Sequence, residues 1–372
     1  MPNNFQSLMH SATRLTRQGD LAAATAAIQA ALANAGPGRA ACPQNQQQGF
    51  RDDCVIRLAA PERPAHVDAS APSKKQEPAP EPQNPSAERF IAGRHGNEAM
   101  NGLDYKLYIP PGAGARALPL VVMLHGCTQN PDDFAAGTAM NTLAAAQDLY
   151  VLYPAQSANA NPQRCWNWFK HNHQTRGSGE PALIAGMTQT VMRSHLIDSD
   201  RVYVAGLSAG AAMAAILGDT YPDIFAAVGV HSGLATGIAN DLGSALAAMK
   251  GVDVKVQTRA SGVATIVFHG DADHTVHASN ASQVIAACTG TAASVTVKQL
   301  NTSGIRTTTR SEYRDANGAV IAEHWLVQGG AHAWSGGSVA GTYTDSRGPD
   351  ASAEILRFFL QHPRAVRHGG SR

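Results

Sequence analysis

Three residues far apart in this chain could together attack a carbonyl: Ser208, Asp273 and His332. Ser208 is the centre of Gly206-Leu207-Ser208-Ala209-Gly210, a G-x-S-x-G run between the apolar "RVYVAGL" and the alanine-rich "AGAAMAAILGDTYP". A strand that turns sharply into a helix at such a run lifts the serine Oγ above the sheet edge. A side chain at either glycine would collide with the neighbouring strand or helix. The hydroxyl is a nucleophile only when a base takes its proton and a third group orients that base. In "IVFHGDADHTV" acids follow an apolar run, and Asp273 is preferred to Asp271, which stands directly after the turn glycine and is better placed to stabilise the loop. There are 15 histidines, so position decides among them. His332, in "LVQGGAHAWSGG", comes after the acid in a glycine-rich loop, and the order Ser, Asp, His is the one expected where a serine sits at a strand-to-helix elbow. His125, His231 and His269 also follow strand-like runs and could line the cleft, but read more naturally as satisfied structural histidines; His362 and His368 belong to the tail.

An oxyanion formed by attack on a carbonyl needs two donors. The Ala209 amide, at a helix start, is one; the Cys127 amide in "VVMLHGCTQN", made accessible by Gly126, is the candidate for the other. The Cys127 thiol itself reads as disulfide-bonded or merely packed. Trp166 and Trp168 in "CWNWF" would either wall a substrate pocket or pack beneath a loop. His171 and His173 have a spacing seen in metal sites, but no third ligand is suggested nearby, so they read as a solvated loop. No metal and no organic cofactor is expected.

These residues require a frame that brings strand ends to one edge. From "LDYKLYIP" onward the pattern alternates: "LPLVVMLHG" (strand), "PDDFAAGTAMNTLAAAQ" (helix), "LYVLYP" (strand), "EPALIAGMTQTVMRSHL" (helix), "RVYVAGL" (strand), "AGAAMAAILGDTYP" (helix), "FAAVGVHSG" and "VATIVFHG" (strands), "ASNASQVIAAC" (helix), "AEHWLVQGG" (strand) and "DASAEILRFFL" (helix). This predicts an α/β chain with a mostly parallel central sheet, helices on both faces, and ligands at the carboxyl ends of the strands. Before it, Phe5, Leu8, Met9, Ala12 and Leu15, then Leu21, Ala24, Ile28 and Leu32, recur at helical spacing around "QGD". The organisation is therefore a helical hairpin over 1–35, a poorly ordered Pro-rich linker over 36–89, a main domain over 90–363 and a tail over 364–372. The hairpin is either a device for self-association or partner docking, or an amphipathic arm that only packs.

A net charge of +1 gives no electrostatic footprint for nucleic acid. The longest apolar runs are strand-length, short of the ~20 residues of a membrane span. Five cysteines without CxxC spacing make neither a zinc site nor a disulfide framework, although one or two disulfides are compatible with them. The opening 30 residues, interrupted by Arg14, Arg17 and Asp20, do not read as a secretory signal, which points to the cytoplasm.

The stretch 101–363 resembles the polyhydroxybutyrate-depolymerase-type esterases, relatives of feruloyl and acetylxylan esterases in the α/β-hydrolase superfamily, through "HGCTQNPDDF", "LYPAQSANANPQRCWNWF", "GLSAGAAMAA", "FHGDADHTV" and "GGAHAWSGG" taken together. The resemblance implies a Ser208, Asp273, His332 triad and a disulfide between Cys127 and Cys165, leaving the partners of Cys42, Cys54 and Cys288 open. It also implies a serine carboxylesterase acting on hydroxyalkanoate oligomers or short-chain acyl esters. A feruloyl or acetylxylan esterase is the second enzymatic reading, and a catalytically weak, granule-associated binding protein the third. The disulfide argues for an oxidising compartment, and much of the resembled family is extracellular.

Overall fold

The computed structural model describes residues 89–96, 102–252, 262–290, 294–301 and 305–364. The expected hairpin, all but the last residue of the linker, Cys42 and Cys54, and the tail beyond 364 lie outside the described residues. In chain order the elements are β1 (Arg89–His95), β2 (Leu103–Ile109), β3 (Leu118–Leu124), α1 (Pro131–Thr138), α2 (Met140–Gln147), β4 (Tyr150–Ala155), α3 (Gly179–Ser194), β5 (Ile197–Leu207), α4 (Ala209–Thr220), β6 (Ala227–His231), α5 (Leu242–Met249) and β7 (Ala264–Gly270). They continue as α6 (Ser279–Thr289), β8 (Ser294–Leu300), β9 (Thr308–Arg314), β10 (Val320–Val327), the short β11 (Trp334–Ser335) and β12 (Thr344–Asp345), and α7 (Ala351–Gln361).

Ten strands form one sheet in the order β1-β2-β4-β3-β5-β6-β7-β10-β9-β8. The six from β4 to β10 run parallel, while β1-β2 at one end and β9-β8 at the other are joined antiparallel. Continuous apolar sequence explains the centre: every residue of β3 and of β6 is buried, as a strand covered on both faces requires. Side chains alternate across the sheet. Leu120, Val122 and Leu124 join Val204 and Val228 in one core with α3, α4 and α6, whereas Val121 and Met123 join Tyr203, Phe268 and the aromatic face of α7 in the other, with α1 and α2.

The connection from β3 goes to β4 on one side, and the next strand, β5, lies on the other side of β3. The sheet thus reverses its winding between β3 and β5, and a crevice opens at the carboxyl ends of these strands. Both the Cys127 turn and Ser208 leave the sheet there.

The structure differs from the sequence reading in three places. The single helix expected over 131–147 is broken, because Ala139 takes a left-handed conformation with φ 51° and separates α1 from α2. Strand β1 adds a residue before the expected domain start and pairs with β2 from Arg89↔Ile109 to His95↔Leu103. Helix α5 and strands β8 and β9 are additional; β8 is exposed on both faces except at its last residue, so it carries no buried stripe that a sequence could display.

Candidate active site

Ser208 stands between β5 and α4 with φ 58° and ψ −119°, a region that favours glycine and costs another residue on the order of 1–3 kcal/mol. Neighbours hold it there: its N–H donates to the His231 carbonyl (2.9 Å) and its carbonyl accepts from the Ala212 amide (3.0 Å). The two flanking glycines are a steric necessity. A Cβ on Gly206 would sit 2.7 Å from the Leu124 carbonyl oxygen and overlap Gly210. A Cβ on Gly210 would overlap the Leu124 carbonyl and lie 2.6 Å from that of His125.

Asp273 is buried in the loop after β7. One oxygen, Oδ1, accepts from the Thr275 (2.9 Å) and Val276 (2.8 Å) amides, and Oδ2 accepts from His332 Nδ1 (2.7 Å). His269 Nε2 lies 3.5 Å from Oδ2 while donating to the Val276 carbonyl at 2.8 Å. Burial alone would raise the Asp273 pKa; the His269 and His332 contacts and the Val276 amide outweigh it and hold the carboxyl far below the usual carboxylate range. Because Nδ1 of His332 is spent on Asp273, Nε2 is the nitrogen left for proton transfer. Asp273 and His332 are thus brought together. Ser208 Oγ and His332 Nε2 carry no hydrogen bond among the described residues, and Ser208 is half-buried at the same edge. Asp271 does what its position after Gly270 suggested: its carboxylate accepts from the Gly329 amide at 2.6 Å and closes the loop.

The turn Gly126-Cys127-Thr128-Gln129 lies after β3. The Gln129 amide donates to the Gly126 carbonyl (3.3 Å), Thr128 has φ 67°, and the Cys127 amide has no acceptor among the described residues. Ala209 is the first residue of α4, so its amide has no intrahelical acceptor either. A disulfide joins Cys127 to Cys165, with Cα atoms 4.2 Å apart. Thr128 N–H donates to the Gln163 carbonyl at 2.6 Å, so this turn and the 163–165 segment are held together at two consecutive residues. Cys288, by contrast, is a free thiol whose pKa burial pushes up to about 12.

Trp166 is fully buried and donates from Nε1 to the His125 carbonyl (3.1 Å); Trp168 is buried at an edge-on contact with Phe169. Trp166 is thus tied to the base of the turn, and neither ring is exposed. His125 is neutral. Its Nδ1–H donates to the Gly126 carbonyl (2.8 Å), Nε2 accepts from Gln156 N–H (3.1 Å), and burial pushes its pKa down to about 4. His231 accepts the Ser335 amide on Nε2 (2.9 Å), so it anchors the loop that carries His332. His171 and His173 form a short 3-10 turn in which His173 Nδ1 lies 3.4 Å from Glu180.

Glu180 is a residue the sequence reading passed over. It is buried at the start of α3 and accepts from Gln156 Nε2 (2.6 Å), the Asn167 amide (2.7 Å) and Asn167 Nδ2 (2.6 Å). Burial works to raise its pKa, but the hydrogen bonds from His173, Asn167 and Gln156 prevail and keep it lowered. An acid at the first turn of a helix is ordinary helix chemistry in a sequence; only the fold reveals that it knots the tryptophan loop to the loop after β4.

A family model described as Esterase PHB depolymerase matches residues 103–304, a span that holds Ser208 and Asp273 and stops short of His332. Poly(3-hydroxyalkanoate) depolymerase C of Paucimonas lemoignei is 32% identical over 249 residues, covering 60% of this chain and 57% of that protein. Feruloyl esterase B of Thermothelomyces thermophilus is 34% identical over 122 residues, covering 32% of this chain and 41% of that protein. The chain spans about half the length of the curated relatives it matches. An acetyl xylan esterase from Aspergillus awamori superposes with a TM-score of 0.56 at 19% identity, covering 73% of this chain and 99% of the other, which shows a shared α/β-hydrolase fold.

Proposed function

Because the chain belongs to the Esterase PHB depolymerase family, we propose that it is a serine carboxylesterase and that Ser208, His332 and Asp273 are its triad. The observation that carries this reading is the Asp273–His332 hydrogen bond at the sheet edge from which Ser208 projects in a left-handed conformation. Ser208 Oγ attacks the ester carbonyl as His332 Nε2 takes its proton. Asp273 stays ionised, orients the ring through Nδ1–H and stabilises the imidazolium. The Cys127 and Ala209 amides hold the oxyanion. His332 then returns the proton to the departing alcohol, and water, activated by the same nitrogen, hydrolyses the acyl-enzyme.

The substrates are short hydroxyalkanoate oligomers or short-chain acyl esters, in line with the names of the depolymerase relatives. Hydrolysis of a p-nitrophenyl ester series from acetate to octanoate, beside a hydroxybutyrate trimer, tests this with wild type and Ser208→Ala. The wild type turns over and the variant loses about 10⁶-fold in kcat. Equal inertness of both proteins refutes the mechanism. Preference for feruloyl or acetyl sugar esters over hydroxybutyrate would instead align the chain with the relatives named feruloyl and acetylxylan esterases.

A further inference from the structure

Seven non-glycine residues of the described chain have a left-handed φ. Ala139 and Asp148 sit at the ends of α1 and α2. The other five are Thr128, Arg164, Ser208, Ser232 and Tyr343, and they gather at the carboxyl edge of the sheet or on the loops that follow it. In three of these, Thr128, Ser232 and Tyr343, the side chain is hydrogen-bonded, and Ser208 is the proposed nucleophile. Ser208 is the elbow, and the Ser232 amide donates to the Phe268 carbonyl (2.9 Å). Thr128 donates its amide to Gln163 and its hydroxyl to the Cys127 carbonyl (2.6 Å). The Tyr343 carbonyl accepts the Trp334 amide (2.7 Å), and its phenol meets the Thr128 hydroxyl at 3.2 Å.

Arg164 differs from all of these. Its amide donates to the Asn161 carbonyl (2.8 Å), but its side chain is exposed and has no hydrogen bond or ion pair among the described residues. Nine other described arginines pair with a carboxylate of this chain. A glycine would take φ 52° without the ~1–2 kcal/mol that a Cβ costs there. The chain therefore holds a free cation in a strained conformation, and does so beside the proposed oxyanion turn. Gln163 accepts the Thr128 amide on one side of Arg164, and Cys165 is bonded to Cys127 on the other. With Cys127 and Cys165 Cα atoms 4.2 Å apart and one further Cα step of about 3.8 Å, the Arg164 Cα is no more than about 8 Å from that of Cys127. The Arg164 charge acts on His125, at the base of the same turn. The acids nearest the turn in sequence are already engaged, Asp132 by Lys106 and Asp133 by Gln129 and Thr342.

Resting on the esterase reading above, we infer that Arg164 is a subsite for a free carboxylate on the alcohol side of the scissile ester, and that it selects acid-terminated hydroxyalkanoate oligomers over neutral esters. In a 3-hydroxyacid unit the carboxylate carbon is four bonds from the scissile carbonyl carbon, about 5 Å, the same scale as the separation of at most about 8 Å between the Cα atoms of Cys127 and Arg164. A planar guanidinium grips such a carboxylate with two parallel hydrogen bonds, which an ammonium cannot do. The bonds cleaved and formed are those of ordinary ester hydrolysis, so the subsite adds recognition and no new chemistry.

The test uses the full chain with two forms of the 3-hydroxybutyrate dimer, the free acid and its terminal N-methylamide, and reads the ratio of their kcat/KM values. Wild type favours the acid. In Arg164→Gln the acid-to-amide ratio falls roughly 10- to 100-fold, the worth of a hydrogen bond to a charged group, and Arg164→Lys recovers only part of it. Arg164→Gly loses the ratio while its Tm stays at or above that of wild type, because strain is relieved. A ratio unchanged by Arg164→Gln overturns the subsite while ester hydrolysis stands, and so does a loss shared equally by acid and amide. A wild type inert on both dimers and on p-nitrophenyl esters overturns the esterase reading and the subsite with it.

Discussion

His231 should make the protein acid-sensitive, and the size of the effect can be worked from its surroundings. The ring is buried at the end of β6, stacked between Phe268 (centroids 5.7 Å) and Trp334 (5.0 Å), with Nε2 accepting the Ser335 amide. Burial, aided by the like charges of His269 and His332, pushes its pKa down to about 3. In the unfolded chain a histidine titrates near ~6.5. Below that pH the unfolded chain takes up a proton that the folded one refuses until about pH 3, so stability from this group is complete above pH ~6.5 and is lost as the pH falls. Over the two units from pH 6.5 to 4.5 the loss approaches about 3 kcal/mol, at ~1.4 kcal/mol per unit. His231→Gln keeps an oxygen that can accept the Ser335 amide and removes the titration. Urea unfolding of both proteins at pH 7.5 and 4.5 gives the comparison: the variant loses about 3 kcal/mol less than wild type. His125, also held neutral, weighs on both proteins alike and cancels in the difference. Equal losses in the two proteins would refute the argument, since the ring would then be reachable by protons or solvated in the fold.

Two further substitutions test the site. Gly210→Ala places a Cβ against the carbonyls of Leu124 and His125, so thermal unfolding should show a loss of ~1–3 kcal/mol or more from overpacking, with soluble yield falling in step; a wild-type Tm would mean that the elbow is looser than described. Asp273→Asn should retain acceptance of the Thr275 and Val276 amides on its oxygen, yet present an NH₂ to His332 Nδ1 and impose the wrong tautomer. Turnover of a p-nitrophenyl ester should then fall about 10⁴-fold in kcat with little change in KM, and a loss under tenfold would remove Asp273 from the triad.

What could be read in the sequence follows from where information is concentrated. Strands β3, β4, β6 and β7 and the second half of β5 are short apolar runs, and burial on both faces imposes that composition, so they stand out. Strand β8 at the sheet edge and β9 beside it have side chains that are largely solvated or half-buried, so no such constraint marks them. The break at Ala139 was hidden for a different reason. Gly137 and Thr138 weaken the helix without marking where it stops; the Thr138 hydroxyl bonds back to the Phe134 carbonyl one turn earlier, and a tertiary bond from the Ser352 hydroxyl takes the Thr138 carbonyl, both at 2.7 Å. Ser352 lies 214 positions from Thr138.

The same contrast runs through the site. Gly206 and Gly210 were legible because a tight crossing allows nothing larger, and the Asp273–His332 pair was legible because loops after strands are few and its chain order is constrained. The supports beneath the Cys127 turn were not, because they are bonds between residues that look unremarkable singly. Glu180 accepts from Gln156 and Asn167; Gln156 also donates to the Cys165 carbonyl (3.0 Å) and, through its amide, to His125. Cys165 in turn is bonded to Cys127. One buried carboxylate at the head of α3 therefore reaches the proposed oxyanion donor through two routes, one by way of His125 and one by way of the disulfide. An ionised group is suited to that place because it accepts several hydrogen bonds at once and cannot donate, which fixes the orientation of every amide around it. A neutral glutamine there would leave at least one neighbouring N–H facing another N–H.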